Sequence, residues 1–341
     1  MSRVSSPHLP VAPRVSTVMR DVLLALSPGV AIYVLLFGVG VLINIALCIA
    51  ACLLSEALLL RLQRRPVRIF LSDYSAVVTG ALLALALPPY APWWVPVLAA
   101  GFAMSLGKHL YGGLGYNPFN PAMVGYIVML ISFPAELSTW PTWSPLWAPA
   151  VDMGCQFAAI AGQNIDGLAG ATALDQARTG LTQNLTLGEL ASTPAMGWLG
   201  GRGWEWISLG YLLGGLWLIR RKHIGWQIPL SLLGALSASA ALFWLFDADR
   251  YASPLFHCFS GAAMLGAFFI ATDPVSASTT PRGRIIFGAG IGVLTYVIRT
   301  WGGYPDAIAF GVLLMNIAVP LIDQYSKPRV FGARRGSQDS L

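Results

Sequence analysis

Apolar residues in this chain gather in long runs instead of recurring at the three-and-four spacing of a helix that lies on a soluble core. A helix that crosses a bilayer needs about 20 mostly apolar residues. Runs of that kind fall at 21–36, 38–60, 72–88, 93–109, 119–134, 204–219, 225–246, 255–272, 285–299 and 304–323. The pattern predicts an all-α, polytopic membrane protein of about ten transmembrane helices. Composition agrees: 56% of the 341 residues are hydrophobic and 11% charged, against about 25% charged in soluble domains. The first run follows a polar stretch with no cleavage-like end, so it is expected to stay in the membrane and not to be removed as a signal peptide.

A net charge of +6 could point to nucleic acid, but the cations sit in short clusters between apolar runs, as orientation signals do. With the N-terminus cytoplasmic and the sides alternating, the cytoplasmic segments hold 17 of the 21 Lys and Arg, Lys108 among them. Only Arg178, Arg202, Arg250 and Arg299 fall on the other side. The expected layout is a cytoplasmic segment 1–20, membrane helices over 21–134, an outer loop 135–203, membrane helices over 204–323 and a cytoplasmic tail 324–341. The partner this implies is the lipid bilayer, with no nucleic acid. The outer loop is long and rich in Trp, Pro, Gly, Ser and Thr, and loops of that length are uncommon unless functional. Most of its tryptophans read as an interfacial belt.

The two membrane blocks resemble each other. Tyr74-Ser75 leads through a Gly/Ala-rich run to Pro88-Pro89, and Phe259-Ser260 leads through a similar run to Asp273-Pro274. Further on, Lys108-His109-Leu110-Tyr111-Gly112-Gly113 echoes Arg299-Thr300-Trp301-Gly302-Gly303. Two halves of five helices must be oppositely oriented, because five is odd. The expectation is two inverted five-helix repeats, an arrangement that places binding sites or ion paths near the bilayer middle.

Chemistry concentrates in the outer loop, at Asp166-Gly167-Leu168-Ala169-Gly170-Ala171-Thr172. Spacing alone reads Thr172 as a turn or helix cap. The segment also resembles the D-x-x-[S/A]-G-[A/S]-T signature at which a flavin transferase joins FMN to threonine as a phosphoester. Ala169 stands where serine is common, and Thr172 itself is present. Two further segments carry the same resemblance: Gly115-Tyr116-Asn117-Pro118-Phe119-Asn120-Pro121-Ala122, and the stretch from Gly266 through Asp273-Pro274 and Thr280-Pro281-Arg282-Gly283-Arg284 to Asp306. Together they resemble the D-subunit family of the Rnf electron-transport complexes, which is related to the B subunit of the sodium-pumping NADH:quinone reductase. The likeness runs from about Arg20 to Arg329.

That resemblance implies a membrane subunit of an ion-translocating ferredoxin:NAD⁺ oxidoreductase, an enzyme only as part of the complex. It implies FMN covalently bound at Thr172, with Asp166, Gly170 and Ala171 as the surrounding motif, and riboflavin as a candidate inner carrier. It further implies Na⁺ or H⁺ as the transported ion, the A, B, C, E and G subunits as partners, a flavin transferase for maturation, and a bacterial inner membrane with both termini cytoplasmic and Thr172 periplasmic. A permease or channel without redox chemistry also suits ten helices in an inverted repeat, and only the flavin motif and the resemblance separate the two.

Ionisable groups near lipid are functional candidates by default. Asp73, Asp273, Asp306 and Asp323 stand at helix ends and Glu56 lies inside the second apolar run. Each reads first as an interfacial charge or helix cap and second as an ion-coupling carboxylate, with Asp73 and Asp273, at matching ends of repeat-related helices, the better ion-coupling candidates; Asp306 also suits a pair with Arg299. The prolines around Asn117 and Asn120 break the helix pattern and free backbone carbonyls. That break suits a flavin or ion site lined by Asn117 and Asn120, and it suits a tight structural turn. His109 and His223 read as interfacial, and Cys48 and Cys52, one helical turn apart, as packing residues. The sequence holds no P-loop, no dinucleotide glycine motif and no cysteine set for an iron–sulfur cluster, and no metal site is expected.

Overall fold

A computed structural model describes residues 14–141, 143, 152–163, 169–304 and 306–327. Asp166, with Gly167 and Leu168, lies outside the described residues, as does Trp147.

Helices occupy all the apolar runs, and the chain is predominantly helical. The first block holds α1 (Val15–Phe37), α2 (Gly40–Leu62), the short α3 (Val67–Leu71), α4 (Ser75–Ala86), α5 (Trp94–Phe102) and α6 (Pro121–Ser132). α5 continues as a π-helical stretch, Ala103–Lys108, and a 3₁₀ turn, His109–Tyr111. The long loop contains elements of its own: α7 (Pro134–Ser138), β1 (Trp140–Pro141), α8 (Met153–Ile160), β2 (Ala169–Gly170), α9 (Ala173–Thr182) and α10 (Leu187–Leu190). The second block holds α11 (Trp204–Arg220), α12 (Gln227–Phe246), α13 (Pro254–Phe259), α14 (Ala263–Leu265), α15 (Pro281–Trp301) and α16 (Ile308–Ser326). Four of them, α1, α2, α12 and α16, are long and apolar enough by length and composition to cross a membrane.

The run at 255–272 is not one helix. α13 stops at Phe259, Gly261 takes φ +63°, and α14 leads into a π-helical turn, Gly266–Ile270. The backbone groups freed at the break are bound by side chains. Arg299 donates to the carbonyls of His257 (2.6 Å) and Ser260 (3.2 Å), and Asp306 accepts from the Ala262 N–H (2.6 Å). Broken helices persist at membrane depth when their loose backbone groups are satisfied in this way.

α1 packs on α11, α2 on α4 and α5, α5 on α6, α12 on α13 and α15, α15 on α16, and α6 on α16. Glycines set the close approaches. A Cβ on Gly80 would lie 2.7 Å from Ile49 Cα, one on Gly214 1.8 Å from the Ala25 carbonyl oxygen, and one on Gly292 2.3 Å from that of Leu232. Without a hydrophobic driving force between helices in lipid, backbone contact of this kind supplies much of the packing. Cys48 and Cys52 are buried among these helices as free thiols, consistent with packing.

Two charges differ in environment from their sequence reading. Lys108 is not a loop cation: it is 2% exposed and bonded to Glu56, itself 1% exposed, at 2.5 Å. Arg299 is likewise buried, around the helix break. One residue thereby leaves each side of the orientation count. His109 is buried beside Glu56, at 3.6 Å, and is not an exposed interfacial residue; it follows directly on the π-helical stretch that ends at Lys108. His223 is half-buried and bonds Asp21 at 2.6 Å.

Candidate functional site

Thr172 is the N-cap of α9. Its extended backbone (φ −65°, ψ 162°) starts the helix, as an N-cap residue does. Its hydroxyl oxygen accepts from the Asp175 N–H at 3.2 Å and its hydroxyl proton is donated to Asp175 Oδ2 at 2.8 Å. Just upstream, β2 pairs antiparallel with β1, Gly170 opposite Trp140 and Ala169 opposite Pro141. The motif is thereby strapped to the start of the loop. Ala171 is exposed, while Gly170 and Thr172 are half-buried.

Beside Thr172 opens a cavity of ≈ 450 Å³. α9 contributes Thr172, Asp175 and Arg178 to its wall; the membrane helices contribute Tyr33, Tyr126, Trp204 and Tyr211; the helix break contributes Ser260, Gly261 and Ala262. Tyr33, Phe37, Trp140 and Trp204 form one aromatic cluster, with ring centroids 5.1–5.4 Å apart around Trp204 and between Tyr33 and Phe37. Trp140, in this cluster, is a wall residue of the cavity. Arg178 donates to the Gly303 carbonyl and so spans from α9 to the end of α15. The volume lies in the range of small-molecule sites, about 300–1,000 Å³. Aromatic walls, a few convergent polar groups and a hydroxyl on a helix N-terminus fit a flavin tethered through its phosphate: rings suit the walls, and the N-terminus suits the anion.

The asparagines lie elsewhere. Asn117 closes its own turn, donating to the Phe119 carbonyl (2.9 Å) and accepting from the Gly115 N–H (3.3 Å). Asn120 caps α6 through the Met123 N–H (3.3 Å) and ties the two blocks together. Its side chain donates to the Ile270 carbonyl (3.2 Å), and its N–H donates to Asn316 Oδ1 (3.2 Å). Asn316 in turn donates to the Ser276 carbonyl at 2.9 Å. Asn120 does not line the cavity; it bonds Met123 and Ile270, which do.

Nor are the four aspartates gathered. Asp73 accepts from the N–H (2.7 Å) and hydroxyl (2.6 Å) of Ser75. Asp273 accepts from the Ser276 hydroxyl at 2.7 Å and lines a second cavity, ≈ 480 Å³, with Lys222, His223 and Arg284. Asp306 pairs with Arg299 at 2.9 Å, and Asp323 binds the N–H and hydroxyl of Thr279 at 3.1 and 2.7 Å. Among the described residues no group of three His, Cys, Asp or Glu could hold a metal ion.

One buried cluster joins residues that the sequence left apart, with Glu56 at its centre. Lys108 Nζ bonds Glu56 Oε1 (2.5 Å) and the Ser75 hydroxyl (2.7 Å), and Ser75 leads on to Asp73. Glu56 Oε2 and both His109 ring nitrogens are buried without a hydrogen-bond partner among the described residues. A glutamate inside an apolar run was the available signal. Asp175 and Arg178 were missed, since nothing in their spacing shows that α9 turns them toward a cavity.

Apolar helices closed over buried ion pairs, with an aromatic cavity beneath a loop threonine, define an integral multi-pass membrane protein with a candidate ligand site. The chain belongs to the NQR2, RnfD, RnfE family, whose model matches residues 2–332. It is 52% identical over 337 residues to the D subunit of the ion-translocating oxidoreductase complex of Ectopseudomonas mendocina, covering 98% of this chain and 97% of the relative. It is 52% identical over 341 residues to the protein of that name from Pseudomonas aeruginosa (99% and 98% covered). With the one from Aeromonas hydrophila it shares 51% over 345 residues (97% and 98% covered).

Proposed function

We propose that this chain is the membrane electron-relay subunit of an ion-translocating ferredoxin:NAD⁺ oxidoreductase complex, with FMN joined to Thr172 as a phosphoester. The observation that carries the reading is the Thr172 hydroxyl on the N-terminus of α9, at the wall of an aromatic cavity. The names of its relatives support the assembly. Bound there, FMN supplies a carrier that takes electrons singly or in pairs. The chain's own residues do the rest. The α9 N-terminus favours a phosphodiester's negative charge, worth about 0.3–1 kcal/mol near a surface. Arg178 lies on the same face of α9, and the Tyr33, Trp204 and Tyr211 rings keep water from the inner part of the cavity.

The reading includes ten membrane crossings in two inverted repeats. Contacts of α1 with α11 and of α6 with α16, each pair matched in order between the blocks, support this reading. Ser75 is bonded by buried Lys108, and the matching Ser260 by buried Arg299 through its carbonyl. On this topology both termini are cytoplasmic and Thr172 faces the periplasm of a bacterial inner membrane. A flavin transferase attaches the FMN there, and the A, B, C, E and G subunits deliver and remove electrons. A second flavin such as riboflavin serves as the inner carrier, and Na⁺ or H⁺ is moved.

The test is a complex carrying Thr172→Val in inverted membrane vesicles. Loss of NAD⁺ reduction by reduced ferredoxin, together with loss of coupled ion uptake, is the expected result. Undiminished coupled transport would overturn the reading, and ion flux without electron transfer would favour a permease.

A further inference from the structure

We propose that Asp175 is the proton acceptor for flavin attachment, so that this chain brings its own base to the reaction that modifies it. The inference rests on the reading of Thr172 as the attachment site. A threonine hydroxyl is a poor nucleophile until its proton has somewhere to go. At Thr172 that destination is built in: the hydroxyl donates to Asp175 Oδ2 at 2.8 Å. One lone pair of Thr172 Oγ1 receives the Asp175 N–H at 3.2 Å, and the second is left for an incoming phosphorus.

Helix capping accounts for only half of this geometry. In a capping box the carboxylate at the third helical position reaches back to the N-cap backbone N–H. The same loop contains one: Glu189 Oε2 accepts from the Thr186 N–H at 2.8 Å as well as from its hydroxyl at 3.0 Å. Asp175 takes no bond from the Thr172 N–H. Among the described residues, the Thr172 hydroxyl is the only hydrogen-bond donor to its carboxylate. An aspartate that accepts a substrate hydroxyl proton is the arrangement protein kinases use for phosphoryl transfer.

The step balances without redox change. The donor is a flavin dinucleotide, in which the FMN phosphate is joined to AMP as an anhydride. Thr172 Oγ1 forms a bond to the FMN phosphorus, the anhydride P–O bond breaks, and AMP leaves with that electron pair. The hydroxyl proton passes to Asp175 Oδ2 and from there to the departing phosphate or to water. The product anion then lies at the α9 N-terminus.

The experiment uses the full-length chain, purified in detergent from a host lacking the transferase, then mixed with purified flavin transferase and FAD. Attachment is followed by in-gel fluorescence and by the mass of the Thr172 peptide. Asp175→Asn keeps the main-chain N–H that caps α9 and leaves the melting temperature unchanged. It is expected to lower the maximal attachment rate about 100-fold, within the range of general-base contributions. The half-saturating FAD concentration stays the same, and Asp175→Glu reacts at least about tenfold faster than Asp175→Asn. Attachment of Asp175→Asn at the wild-type rate, an effect confined to half-saturation, or equally slow Asn and Glu variants would each overturn the proposal. A wild-type chain that stays unmodified at Thr172 would instead overturn the attachment site itself.

Discussion

Replacing Lys108 with Met tests whether the buried Glu56–Lys108 pair is held as an ion pair. The two charged atoms are 2.5 Å apart, and the side chains are 2% and 1% exposed. At an effective dielectric of about 20 their attraction is about 7 kcal/mol. Burying the two ions costs several kcal/mol each, so the intact pair contributes little net stability. Removing one partner is another matter. Lys108→Met strands Glu56 with, among the described residues, Oε2 already unpartnered and only His109, 3.6 Å away, to offset its charge. The expected loss is about 3–5 kcal/mol. Glu56→Met together with Lys108→Met removes both charges and is expected to lie within about 1 kcal/mol of the wild type, or to be more stable. Reversible unfolding of the detergent-solubilised protein, monitored by helical circular dichroism, measures Lys108→Met, Glu56→Met and the double mutant. A Lys108→Met loss below about 1 kcal/mol, or a double mutant as unstable as the sum of the singles, would refute the ion-pair argument.

Other positions give separable outcomes. Gly261→Ala places a Cβ at φ +63°, 2.5 Å from Asp306 Oδ2 and 2.8 Å from Leu174 Cδ1. It should lower stability by about 1–3 kcal/mol and slow flavin attachment by shifting α9, both read on the purified chain. Asn120→Ala leaves the Ile270 carbonyl and the Met123 N–H without their side-chain partner. A loss of about 1–3 kcal/mol is expected in the same unfolding assay, with Asn316→Ala costing a similar amount through Ser276. Trp204→Ala removes the ring that contacts Tyr33, Phe37 and Trp140. Its expected cost of about 3–5 kcal/mol should appear as a lower melting temperature.

How much of this was legible in the sequence depends on which residues are considered. Helices fall in all ten apolar runs, because apolar length alone specifies a helix in lipid. The break at Ser260–Gly261 was hidden, since the groups that satisfy it, Arg299 and Asp306, lie some forty residues further on. The Arg299–Asp306 pair itself was readable from proximity in sequence. Lys108 was misread because a cation at the end of an apolar run resembles a loop residue; only the inward π-helical turn brings it to Glu56. At the site, the motif pointed to Thr172, while the cavity was invisible: its walls come from α1, α4, α6, α7, β1, α9, α11, α16 and the helix break, and no local pattern links them.

The claim that Thr172 carries a covalent flavin is tested most directly on the chain itself. The protein, produced with its flavin transferase, is denatured, run on a gel under ultraviolet light and digested for peptide mass. A fluorescent band and an FMN adduct on the peptide containing Thr172 are expected, both lost in Thr172→Val. A dark wild-type band, or fluorescence that persists in Thr172→Val, would contradict that claim.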